Sequence, residues 1–350
     1  MTAAEQLGSF LPDDRSAALV TSAESLRYLC GAEISGAIAL ISKETRYLFV
    51  GKGVFVSAEG FIVFSLSNLK QILDILIKYG IKRLYIENDK ITVAELDLLK
   101  NTLHYADFIT NGELTAALLK MRSIKNENEI KCVKKAQTVC DKAYQRLLMT
   151  VRKGMTERQI AAYLNYFLVE FGADEPAFST RALSGENSAN AKARPSSRQI
   201  REGDFLLLEF GARVGGYCAK MARTVAVGEI SSKQNDAYNA VSCAVFDGLK
   251  TLRAEISSNV PDSVARATLN AWNVEKFARG SFAHGIGIDV SEPPFLGENS
   301  GSMLKAGMTL AVGCDIRVPE RFGVKITDTC ALTADGCVNF TAATRDLVHI

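Results

Sequence analysis

Apolar and polar positions follow two different rhythms along the chain, and the change between them divides it. From Ala17 to about Ala106, the short apolar runs AALV (17–20), GAIALI (36–41) and RYLFV (46–50) have the length of strands and alternate with amphipathic helices. A helix is predicted from Ser67 to Tyr79, with Leu69, Ile72, Leu73, Leu76 and Ile77 on one stripe, Ser67 as its cap and Gly80 as its stop. The run KRLYIE (82–87) reads as the next strand. A further helix starts at Thr92, where Thr92 and Glu95 form a capping box and Leu96, Leu99 and Leu103 continue one face. This order is that of an α/β domain.

The stretch NGELTAALLKMRSIKNENEI (111–130) is polar and helical with no strand signal, which puts a domain boundary near residue 120 and gives units of 1–120 and 121–350. A long helix reaching about Met149 opens the second unit. Its lysines Lys125, Lys131, Lys134 and Lys135, interleaved with Glu127 and Glu129, read as a solvated face. Another helix is predicted from Thr156 to about Phe171, ending at Gly172. Beyond it the strand-like runs FLLLEFGA, ARTVAVG, MTLAVG and VKITDTCAL alternate with helical stretches around 233–255 and 260–278, which is α+β order.

Composition narrows the function class. A chain of 350 residues with 47% apolar and 23% charged residues can bury two cores. Forty-one Lys and Arg against 39 Asp and Glu leave a formal charge of +2, too small to claim nucleic acid or a membrane surface as partner. No run approaches the roughly 18 apolar residues of a span, and Glu5, Asp13, Asp14 and Arg15 break any leader-like stretch, so a soluble cytoplasmic protein is expected. The eight cysteines have no CxxC pair and fit reduced thiols.

The specific signal is a series of motifs in the second unit: GMTE (154–157), SGENSANAK (184–192), GDFLLLEFGARVGGYCAKMARTVAVG (203–228), HGIGIDVSEPP (284–294), KAGMTLAVG (305–313) and FGVKITDTCALTADG (322–336). In order and spacing this series resembles the creatinase and Xaa-Pro aminopeptidase/dipeptidase (prolidase) family over about residues 121–350. The resemblance implies an α+β pita-bread C-terminal domain preceded by a smaller α/β domain of ribonuclease H-like, creatinase N-terminal type. It also implies a homodimer. Active members hold two divalent cations (Mn, Co or Zn) with two Asp, one His and two Glu, because the carboxylates neutralise the metal pair while a shared water stays nucleophilic.

Matched residue by residue, that ligand set is largely lost. The first Asp falls on Glu209, the second on Lys220, the His on His284, and the two Glu on Gly313 and Thr327. Two substrate-contacting His positions carry Lys192 and Ser291, and Glu292 follows in the pocket motif; the remaining histidines are His104 and His349. A lysine ammonium about 4 Å from a dication is repelled by about 8 kcal/mol at an effective dielectric near 20. A dinuclear site is therefore not expected, no cofactor is expected, and a single metal would need Asp315 or Asp328 to swing in. Lys220 is instead expected to pair with Glu209, and with Asp328, inside the former cavity.

Three functions stay open on this basis: a metal-free pseudopeptidase binding a peptide or small molecule, a metal-independent C–N hydrolase like creatinase, and an active Xaa-Pro peptidase with an atypical site. Glu209, Lys220 and His284 are the catalytic candidates, with a structural ion pair and a relic histidine as the alternatives. Cys218 and Cys314, next to former ligand positions, are either buried inert thiols or a thiolate near His284.

Overall fold

The computed structural model describes residues 2–31 and 34–350. The chain divides into two units, Met1–Arg122 and Ser123–Ile350. In chain order the first contains α1 (Ala3–Phe10), β1 (Ser16–Val20), α2 (Ala23–Cys30), β2 (Ile38–Ile41), β3 (Arg46–Val50), β4 (Ile62–Ser65), α3 (Lys70–Tyr79), β5 (Arg83–Ile86), α4 (Val93–Thr102), β6 (Asp107–Ile109) and α5 (Glu113–Ser123). Its six strands form one mixed sheet in the order β4-β3-β2-β1-β5-β6. Alternate residues of the central strands serve opposite faces. Ala18, Val20, Ala39 and Ile41 pack with Leu7, Leu26 and Leu114 from α1, α2 and α5, while Ala17, Leu19, Ile38 and Leu40 pack with Ile72, Leu76 and Leu99 from α3 and α4. Burial on both faces is why these strands read as unbroken apolar runs. The Thr92–Glu95 capping box is present. Ser67 does not cap α3; its hydroxyl bonds to the Gln71 side chain, and the helix starts three residues later at Lys70.

The second unit contains α6 (Glu127–Thr150), α7 (Glu157–Glu170), β7 (Glu175–Pro176), β8 (Arg181–Ser184), β9 (Phe205–Phe210), β10 (Ala212–Val214), β11 (Tyr217–Cys218), β12 (Met221–Ala226), α8 (Ser232–Thr251), α9 (Val260–Ala271), β13 (Ala283–Gly285), β14 (Glu292–Leu296), β15 (Thr309–Val318), β16 (Phe322–Leu332) and β17 (Cys337–Asn339). The helical stretch around residue 120 is two helices, since Asn126 caps a new one with its own box to Glu129. Lys125, just before that cap, is not on a solvated face. It is buried, with its ammonium 2.5 Å from the carboxylate of Glu292.

The large sheet runs β14-β13-β15-β16-β12-β9-β8, with β17 added beside β16. One face is covered by helices. Leu206, Leu208, Phe210 and Met221 pack on α6 and α7, and Leu310, Val312, Cys314, Val324 and Ile326 pack on α8 and α9. Because side chains alternate along a strand, the intervening residues Glu209, Ala311, Gly313, Asp315, Lys325, Thr327 and Thr329 share the opposite face. Cross-strand register then places them beside one another: Arg181 pairs with Glu209, Glu209 with Ala222, Ala222 with Thr327 and Thr327 with Gly313.

Candidate functional site

The five positions that the resemblance matches to metal ligands lie on this one face, and three of them are in contact. Lys220, at the entry to β12, places its Nζ 3.4 Å from Glu209 Oε1 and 3.4 Å from His284 Nε2. His284 Nδ1 lies 2.9 Å from the Gly285 carbonyl. A carbonyl only accepts, so Nδ1 carries the proton, and Nε2 presents a lone pair to the ammonium. Lys220 thus stands between a carboxylate and an imidazole nitrogen, the two kinds of donor that would otherwise hold a metal.

A second ammonium completes the cluster. Lys325 Nζ is 2.6 Å from the same Glu209 oxygen and 3.5 Å from Asp315 Oδ2. Arg181 approaches the other Glu209 oxygen at 3.7 Å, and Arg317 forks onto Asp315, with Nη2 2.8 Å from Oδ2. Threonines fix the two lysine backbones. Thr329 Oγ1 donates to the Lys220 carbonyl at 2.9 Å and accepts from its N–H, and Thr224 Oγ1 accepts from the Lys325 N–H at 2.9 Å. Residues 220 and 325 are therefore held by the β12–β16 seam.

The electrostatics follow from these distances. Burial opposes charge on Glu209, but the ammoniums of Lys325 and Lys220 outweigh it and hold the carboxyl at about 2. Burial and the neighbouring Lys325 charge push Lys220 down, against the pull of Glu209. Burial, then the Lys220 charge, lower His284 to about 4, so the imidazole is neutral at neutral pH. Burial pushes the Cys218 and Cys314 thiols up to about 12, so neither supplies a thiolate.

Gly313 and Thr327 face each other across β15 and β16, at the positions where the resemblance places two carboxylates. A Cβ at Gly313 would lie 2.0 Å from the Ile326 carbonyl oxygen and 2.8 Å from the Thr327 Cα, both backbone atoms, so the strand pair leaves no room for any side chain there. Asp328 does not pair with Lys220. It points to the opposite face, fully buried, with Oδ1 2.7 Å from Arg223 and Oδ2 2.7 Å from Arg345 and 2.9 Å from Asn339. Lys192 and Ser291 are exposed, and no hydrogen bond or ion pair joins either to the cluster among the described residues. Two surface cavities of about 570 and 430 Å³, which share Lys233, Arg321 and Phe322, lie elsewhere, and none of the predicted residues lines them.

The donor set does not fit a dinuclear metal centre. The available lone pairs of Glu209 and His284 are already directed at ammoniums, Asp315 is held by Arg317, and among the described residues no group of three or more His, Cys, Asp or Glu could hold a metal ion. Lys325, Arg181 and Arg317 are the members that sequence reading missed. Alternation in VKITDT puts Lys325 on the same strand face as Thr327, a signal present in the sequence.

The profile of metallopeptidase family M24 matches residues 131–334, and that of the creatinase/prolidase N-terminal domain matches residues 13–124. The chain belongs to metallopeptidase family M24. As a family member it is 29% identical over 335 residues to the Xaa-Pro dipeptidase of Pyrococcus horikoshii, covering 95% of this chain and 94% of that one. Its structure is similar to the Xaa-Pro dipeptidase from Bacillus anthracis, with a TM-score of 0.94, 28% identity and 99% of both chains covered. It is also similar to the X-Pro aminopeptidase from Thermotoga maritima, with a TM-score of 0.88, 27% identity and 96% and 97% covered. The family member thus has the pita-bread domain and the creatinase-type N-terminal domain. No helix among its described residues is long and apolar enough to cross a membrane.

Proposed function

We propose that this family member is a metal-free pseudopeptidase, in which two lysines take the place of the divalent cations and the remodelled site binds a peptide or small molecule. The observation that carries the reading is the Lys220 ammonium, 3.4 Å from both Glu209 Oε1 and His284 Nε2, with Lys325 2.6 Å from the same carboxylate oxygen. A cation entering here would displace or meet two positive charges, and Gly313 has no room for the missing carboxylate. Metal-independent hydrolysis is disfavoured by the same numbers. Glu209 held at about 2 and His284 at about 4 are poor bases at neutral pH, where a general base works best with a value near the operating pH.

The proposal includes a cytoplasmic homodimer. Eight cysteines without a disulfide support the compartment, and the dimer follows from the family resemblance, to be checked by sedimentation. The deciding experiment is elemental analysis of protein loaded with excess Mn²⁺, Co²⁺ or Zn²⁺, with hydrolysis of an Xaa-Pro dipeptide followed on the same samples. Trace metal and no turnover are expected; near-stoichiometric metal with turnover would restore an active peptidase.

A further inference from the structure

The cluster on this second sheet face is not electrically balanced. Four cationic side chains, Lys220, Lys325, Arg181 and Arg317, share two carboxylates, Glu209 and Asp315, and the imidazole beside them is neutral. The excess is two positive charges, and part of it is reachable. The Lys220 and Lys325 side chains are 17% and 16% exposed, and Arg181 is 36% exposed. Arg317 is spent, with Nε and Nη2 on Asp315 and Nη1 on the Ser188 carbonyl.

Donor counting leads to the same place. An ammonium carries three N–H groups. Lys220 directs two of them, both at 3.4 Å, to Glu209 and His284, and Lys325 directs one to Glu209 at 2.6 Å and approaches Asp315 at 3.5 Å. Each is left with at least one N–H that no acceptor takes among the described residues. Partly desolvated ammoniums with spare donors and too few counter-charges form a site for an oxyanion, and a doubly charged one would neutralise the excess.

We infer that Lys220 and Lys325 together bind a doubly charged oxyanion, a phosphate or dicarboxylate group of a small molecule. This rests on the metal-free reading of the same site, since a metal pair held by Glu209 and His284 would displace the two ammoniums from it. Arg181, whose Nη1 is also tied to the Ala191 carbonyl at 2.8 Å, lies at the exposed rim, where it can meet the rest of the ligand.

The test is isothermal titration of the full chain at pH 7 and fixed ionic strength with inorganic phosphate, succinate and acetate, each run with and without Mn²⁺. Saturable binding of phosphate or succinate, tighter than acetate, is expected. Whichever dianion binds more tightly names the group. Lys220→Met and Lys325→Met should each weaken it about tenfold or more, Lys325→Arg should stay within a few-fold, and Lys233→Met, at the separate cavities, should change nothing. Circular dichroism establishes that each variant is folded. Absence of dianion binding by the parent protein, or binding unchanged in both methionine variants, overturns the inference and leaves the metal-free reading standing. Near-stoichiometric Mn²⁺ binding abolished by Glu209→Gln overturns both.

Discussion

Replacing Lys325 by methionine removes the cation nearest Glu209 while keeping most of the side-chain volume. The size of the effect can be worked from the carboxylate. Glu209 is held at about 2 against an ordinary value of 4.5, and that difference is worth roughly 3 kcal/mol of stability at neutral pH. Lys325, at 2.6 Å, is the largest of the attractive contributions, so its loss leaves only the more distant Lys220 and Arg181 against burial and should cost about 2–3 kcal/mol. The sign in acid is fixed as well. A carboxyl with a depressed native value contributes fully above the unfolded value and loses that contribution as pH falls from about 4.5 toward about 2. The parent should therefore lose stability over that window, and Lys325→Met should show a flatter profile from a lower plateau. The assay is urea unfolding followed by the fluorescence of Trp272, the single tryptophan, which lies in the unit that carries the site. Adding Glu209→Gln to both backgrounds closes a double-mutant cycle with an expected coupling of about 2 kcal/mol. A coupling below about 0.5 kcal/mol, or an unchanged acid profile, would refute the cation-for-metal account of Glu209.

Three further outcomes are expected. Gly313→Ala should destabilise the second unit by about 3 kcal/mol or more, because its Cβ meets backbone on β16; thermal unfolding unchanged within a degree would contradict the close strand approach. Asp328→Asn should cost about 3–5 kcal/mol by stranding the buried Arg223 guanidinium, with no change in ligand binding at the lysines; altered binding at full stability would place Asp328 in the site after all. His284, held at about 4 against an ordinary 6.5, should stay neutral in NMR titrations down to about pH 5. Since the unfolded chain binds that proton first, stability should fall as pH drops from about 6.5 to about 4. A midpoint near 6.5 would mean that the imidazole is neither buried nor beside the Lys220 charge.

Much of this architecture is legible in the sequence, and the places where it is not have physical causes. The apolar runs in the first unit announce strands buried on both faces, and the motif series gives the second domain its fold before any coordinate. The pairing of Glu209 with Lys220 follows from the resemblance and from charge together, as two positions that the resemblance marks as ligands carry opposite signs. Asp328 is expected in that pair as a carboxylate of the former cavity, but it neighbours Thr327, neighbours on a strand face opposite ways, and Asp328 serves the buried Arg223 instead. The same parity rule would have brought in Lys325, beside the Asp315 already named as a candidate. Arg181 could not be found that way, because its place beside Glu209 depends on the β8–β9 register, which no local pattern encodes. Lys125 looked like part of a solvated helix face because its partner, Glu292, lies 167 residues away.

The threonines on the β12–β16 seam separate where a charge sits from what the charge is. Thr329 grips the main chain at 220 and Thr224 grips it at 325, both through hydroxyls that take no part in the ion pairs. The backbone at these two positions is therefore held by bonds that do not depend on the side chains it carries. Such a frame lets the polarity of a site be rewritten one residue at a time without refolding the domain, and an engineer could use it to exchange cations, anions or neutral groups at a fixed spacing.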